Sequence, residues 1–91
     1  MFENINDGDL ITLKLASGEE VVCTLESHGT DIISIKNGLV LMQGPQGLAF
    51  GTFFSTAKQE APINIARDKI TAAAHVNDKI EGEYKKVFSK I

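Results

Sequence analysis

Apolar and polar residues alternate through residues 9–16, where Ile11, Leu13 and Leu15 share one face and Thr12 and Lys14 the other. A period of two marks a half-buried strand, because successive side chains leave opposite faces of the pleat. Ser17-Gly18 turns the chain, and residues 20–27 resume the alternation with Val21, Cys23 and Leu25 inward. The two segments predict an antiparallel hairpin. Ser27-His28-Gly29-Thr30 predicts the next turn, and residues 31–42 form a β-branched, apolar run. Asn37-Gly38 inside that run has two readings. It is a strong hairpin signal, and it also suits the kink of one long strand bending around a barrel. The kinked strand is the favoured reading.

Gly44-Pro45-Gln46-Gly47 predicts a turn, and residues 48–55 predict a strand given bulk by Phe50, Phe53 and Phe54. Residues 56–62 read as a polar loop. Residues 63–66 predict a short strand, Arg67-Asp68 a tight corner, and residues 69–76 the last strand. From Asp78 the period changes. Ile80, Tyr84, Val87, Phe88 and Ile91 recur at helical intervals and make one apolar stripe. Asp78 and Glu81 have the spacing of a capping box, which predicts a helix over about residues 78–91. Gly82 inside it costs about 1 kcal/mol relative to Ala, so the helix needs a surface to dock on. Before the first strand, Phe2 and Ile5 stand out in a polar stretch and are placed to pin a turn of chain to the body.

Five or six short strands followed by one helix predict a mostly-β domain, a small, strongly bent antiparallel barrel. Its 91 residues make a single domain over residues 1–91. A chain of this size builds a limited core, and small domains compensate with disulfides, metals or self-association. Cys23 is the only cysteine, and with His28 and His75 it shows no metal-ligand spacing, so self-association is the expected route. The lone cysteine and the lack of an apolar leader pattern point to a reducing, cytoplasmic setting. No apolar run reaches the length of a membrane span, and no membrane partner is expected.

The formal net charge of −3 counts against indiscriminate phosphate binding. The charge is unevenly placed. Residues 78–91 carry four lysines against three acids, whereas the rest of the chain carries five basic and nine acidic groups. Any nucleic-acid contact must therefore be local. No pair of carboxylates and no nucleophile with its base can be argued from spacing, so the chain is expected to be neither an enzyme nor the holder of a cofactor. Cys23 reads as a small buried apolar residue, and His75, at a strand end, as structural.

The run Leu10-Ile11-Thr12-Leu13-Lys14-Leu15-Ala16-Ser17-Gly18-Glu19-Glu20-Val21-Val22-Cys23-Thr24-Leu25 resembles the first signature of Sm-like proteins. Ile65-Ala66-Arg67-Asp68-Lys69-Ile70 is similar to the second. Cys23 and Asp68 stand where the family usually has glycine, and the convincing helix follows the strands instead of preceding them. In these departures the chain resembles short, divergent Sm-like proteins of bacteriophages. The resemblance implies a five-stranded, SH3-like Sm barrel over about residues 9–76 with a C-terminal helix. It also implies a homo-oligomeric ring of about five to seven copies, joined through edge strands, with Thr71 and Ala73 on the last strand as interface candidates.

Single-stranded RNA is the partner the resemblance implies. His28 falls at the position of a base-stacking aromatic, Arg67 at that of a clamp on base or phosphate, and Asp31 at that of a base-edge acceptor if the loop is shorter. Each has a plainer reading: an exposed turn histidine, and an arginine paired with a surface acid. The alternative function is a structural scaffold of the same fold that binds no nucleic acid.

Overall fold

The computed structural model describes residues 2–58 and 60–88. Six strands and one helix follow in order: β1 (Leu10–Leu15), β2 (Glu20–His28), β3 (Ile32–Gly44), β4 (Gly47–Thr52), β5 (Ile63–Ala66), β6 (Ile70–His75) and α1 (Asp78–Phe88). A 3-10 turn, Arg67–Lys69, forms the corner between β5 and β6. All pairings are antiparallel, in the order β4-β3-β2-β1-β6, with β5 also on β3. The fold is mostly β, as the alternation predicts. The six strands answer to the six segments read from the alternation, one more than the five-stranded barrel that the resemblance implies. The sheet is unclosed, which differs from the expected barrel, and the strand expected over residues 48–55 ends at Thr52.

Asn37-Gly38 lies within one continuous strand of thirteen residues. Val22 pairs with Leu39 and Thr24 with Lys36, so Asn37 and Gly38 together oppose the single residue Cys23. This is a β-bulge, and it bends the strand. Asn37 takes the left-handed conformation at φ 52°, which asparagine tolerates better than most residues. A Cβ on Gly38 would stand 3.2 Å from Ile35 Cδ1 and 3.6 Å from Ile63 Cδ1, so glycine lets the bend close over the core. The extra residue shifts the phase of the alternation. Ile33 and Ile35 face the core before the bulge, whereas Val40, opposite Val21, does so after it.

Two apolar clusters result. The inner one joins Ile11, Leu13, Val21, Cys23, Leu25, Ile33, Ile35, Ile65 and Ile70 to Phe2 and Ile5 from the segment before β1. The second lies on the other face of the sheet, where Val22, Leu39 and Tyr84 are buried with Leu10, Phe50, Val76 and Ile80 against them. Helix α1 docks there. Its cap is one residue earlier than the Asp78–Glu81 spacing predicts: Asn77 Oδ1 accepts the Ile80 amide at 2.8 Å. The neutral side chain of Asn77 satisfies an amide left open by the first turn. Asp78 is instead inside the helix. Of the predicted stripe, Ile80 and Tyr84 pack, Val87 and Phe88 are exposed, and Ile91 lies outside the described residues. No helix is long and apolar enough to cross a membrane among the described residues.

Tyr84 joins the helix to the bend, its hydroxyl donating to the Asn37 carbonyl at 2.8 Å. Replacing Tyr84 with Phe should therefore cost about 1 kcal/mol, the net worth of one such bond. Tyr84→Ala should cost about 3–5 kcal/mol through the cavity it leaves. Urea denaturation of the two variants checks this, and an Ala variant as stable as the parent would show that α1 contributes no packing.

Candidate functional site

Pairing of Ile32 with Ala66 draws the β2–β3 turn to the 3-10 corner at one end of the sheet. The Arg67 amide donates to the Asp31 carbonyl at 2.9 Å, and the Arg67 guanidinium donates to the Gly29 carbonyl. His28, at the end of β2, comes to the same place. The three residues singled out for RNA contact thus converge, although nearly forty positions separate His28 from Arg67 in the chain. Thr30, Asp31, Ala66, Arg67 and Asp68 line a shallow cavity of about 350 Å³ beside them.

The centre of this cluster is Phe2. Its ring stacks on His28 with centroids 5.6 Å apart and planes at 25°. The Arg67 guanidinium lies over the same ring, Cζ 5.1 Å from its centroid. His28 Nδ1 is also 3.0 Å from Asp7 Oδ1. His28 is exposed, as its plainer reading has it, and its ring also meets Phe2 and Asp7 of the segment before β1; Arg67 is turned to the Phe2 ring and the Gly29 carbonyl. Phe2 is the member that the sequence reading assigned only to anchoring. Its signal was a large aromatic in an otherwise polar stretch.

On the opposite face of the sheet a groove of about 890 Å³ runs between α1 and the β3–β4 hairpin. Val22, Leu41, Leu48, Phe50, Val76 and Ile80 give it an apolar lining, and Glu20, Lys79 and Glu83 stand among them.

The interface candidates occupy the margin formed by β6. Thr71 Oγ1 donates back to the Lys14 carbonyl at 3.1 Å. Ala73, opposite Leu13, packs against the inner cluster instead of pointing into a contact. Thr71, Ala72, Ala74 and His75 are the exposed residues of this strand. What β6 offers a neighbour is therefore backbone and small side chains up to His75, whose ring meets Asp9.

Among the described residues no group of histidine, cysteine and carboxylate side chains could hold a metal ion. His75 Nε2 lies 3.1 Å from Asp9 Oδ2. The Asn6 amide first, and then His75, hold the Asp9 carboxyl below its ordinary range. Cys23 is fully buried, and burial pushes its thiol up from 9.0 to about 12. Comparison with protein-family models and with curated proteins finds no match.

A thiol held neutral in this way is a poor nucleophile. Cys23 should resist iodoacetamide at pH 8 in the folded protein and react once the chain is unfolded in urea. The raised value also sets a pH dependence. The neutral thiol is favoured in the folded state, so its contribution to stability is complete below pH 9.0 and is lost between there and about 12. The slope approaches about 1.4 kcal/mol per pH unit. Cys23→Ala should flatten that part of the stability profile, and an unchanged profile would contradict the assignment.

Proposed function

We propose that the protein is an Sm-like binding module that closes into a homo-oligomeric ring of about five to seven copies and engages single-stranded RNA. The observation that carries the assembly is the pair of strand margins. β4 and β6 are each six residues long, each has one neighbour in the sheet, and neither carries a Lys, Arg, Asp or Glu. Unpaired margins expose rows of backbone donors and acceptors, and proteins manage them by covering, charging or pairing them. Pairing β6 of one copy with β4 of the next is a head-to-tail contact. Repeated around an axis, such a contact closes a ring.

The RNA reading is supported by the convergence of His28, Asp31 and Arg67 at one end of the sheet. A planar guanidinium and an imidazole suit an unstacked base, which single-stranded RNA presents and a duplex hides. An acidic protein can act this way without a broad basic face, because repetition of one local site around a ring raises the effective concentration. The scaffold reading keeps the ring and drops the RNA. It is favoured by one observation, the engagement of His28 and Arg67 with Phe2.

Native mass spectrometry at micromolar concentration should show a closed oligomer, and a monomer there ends the ring proposal. Leu48 is 58% exposed and Ala74 is also exposed, so Leu48→Asp or Ala74→Asp should dissociate the ring while circular dichroism stays unchanged. Each would place an uncompensated charge at the contact.

Labelled uridine- or adenine-rich single strands, titrated at low salt, should bind the wild type. Arg67→Ala and His28→Ala should each weaken binding about tenfold or more, the scale of one lost stacking contact. Lys58→Ala on the loop after β4 should do little. If no strand binds, the scaffold reading replaces this one.

A further inference from the structure

We infer that Phe2 occupies the base site of its own chain, so that the segment of residues 2–9 is a displaceable, nucleotide-like plug. The inference rests on the proposed base-contacting role of His28 and Arg67. Those two side chains meet one aromatic ring, and that ring belongs to Phe2. A base stacks on the same kinds of surface, an aromatic face and a guanidinium. A base entering this position must therefore take the place of the Phe2 ring.

The charge of the segment extends the likeness. Residues 2–9 carry Glu3, Asp7 and Asp9 and no basic residue. Asp7 sets its carboxylate against His28 Nδ1 at 3.0 Å. An aromatic ring and an anion thus reach the site together from the same short segment, which is the chemical content of a nucleotide. Displacing the segment would free the two stacking surfaces and remove a negative charge from the path of a phosphate.

The attachments of the segment show where it can open. At its downstream end the backbone is tied to β2, with Gly8 N donating to the Leu25 carbonyl at 2.7 Å and Leu25 N to the Asp9 carbonyl at 2.9 Å. Upstream of Gly8 no backbone hydrogen bond reaches the body among the described residues. Ile5 N bonds only to the Phe2 carbonyl, at 3.2 Å, within the segment itself. Residues 2–7 are thus held by the Phe2 and Ile5 side chains, by the exposed Asp7–His28 pair and by a turn in which Asp9 N donates to the Asn6 carbonyl at 3.0 Å and Asn6 N to Asp9 Oδ2 at 2.9 Å. Gly8 sits at φ 96° inside that turn, so displacement opens the turn as Phe2 and Ile5 leave the body. A plug joined to its own site lowers apparent affinity by the fraction of time that the site is open.

The test compares wild type, Phe2→Leu, Asp7→Asn and each of these combined with Arg67→Ala, using fluorescein-labelled hexauridylate and hexaadenylate at low salt. Phe2→Leu keeps apolar bulk against the core but has no ring to stack. Asp7→Asn leaves the core untouched and so covers the case in which the first variant does not fold, which circular dichroism reports. Both single variants should bind at least one strand about tenfold more tightly than wild type, by the gain in open fraction. Arg67→Ala should abolish the gain.

Saturating the wild type should also speed hydrogen exchange at the Ile5 amide as the turn leaves the body. If wild type binds in an Arg67-dependent way and neither variant binds more tightly, the plug is overturned while the base site stands. Binding that is indifferent to Arg67, or no binding by any folded variant, overturns the base site and the plug with it.

Discussion

The structure depends on a bend in β3. At thirteen residues this strand is too long to lie flat in so small a domain, and two residues set against Cys23 turn it. Before the bulge it pairs with β5 and closes the inner cluster; after it, the strand pairs with β4 and runs out as a hairpin. The bend also creates a demand. A carbonyl displaced from the regular ladder needs a donor, and the Asn37 carbonyl finds it in the Tyr84 hydroxyl. The helix that follows the last strand thus completes the hydrogen bonding of a distortion some forty-seven residues earlier. Burial raises the Tyr84 hydroxyl above its usual range, and a phenol is protonated at neutral pH in any case, so it stands as a donor.

That bend explains which parts of the fold were legible. Strict alternation reports one buried face, so β1 and β2 were read from Ile11, Leu13, Val21, Cys23 and Leu25. It gives no account of a sheet with apolar surface on both sides. Val22 and Leu39 sit out of phase with those neighbours, yet they are buried at 1% and 8% exposure. They form the floor on which Tyr84 lies. The need of α1 for a dock was clear from its stripe and from Gly82, but the dock itself was not. The capping error has a similar local cause. Asp78 and Glu81 have the right spacing, but the preceding Asn77 has an equally suitable oxygen, and only backbone geometry separates the two.

The candidate site was legible in membership and not in organisation. His28, Asp31 and Arg67 were chosen through a resemblance, and antiparallel pairing of β3 with β5 does bring their backbones together. No local pattern announces that a ring from residue 2 lies between two of them. Such a contact is a product of packing at long range: Phe2 and Ile5 share one buried cluster with Leu25, Ile33 and Ile65. The segment that completes the core and the proposed base site thus meet at the same two side chains, His28 and Arg67.

The margins carry the same tension between stability and association. From residue 37 to residue 57 the chain has no charged side chain, and β4 with its exposed Leu48 lies in that stretch. β6 on the far margin is equally bare. Charged or proline-bearing edges are the usual defence against indiscriminate strand pairing, and Pro45, in the turn before β4, protects neither margin. Acidic groups stand beside these strands and not on them: Asp9 meets His75 of β6, Asp68 lies in the corner before that strand, and Glu20 and Glu83 line the groove along β4. The proposed self-pairing therefore rests on strands that carry no Lys, Arg, Asp or Glu of their own, with their acidic neighbours setting which approach is least opposed.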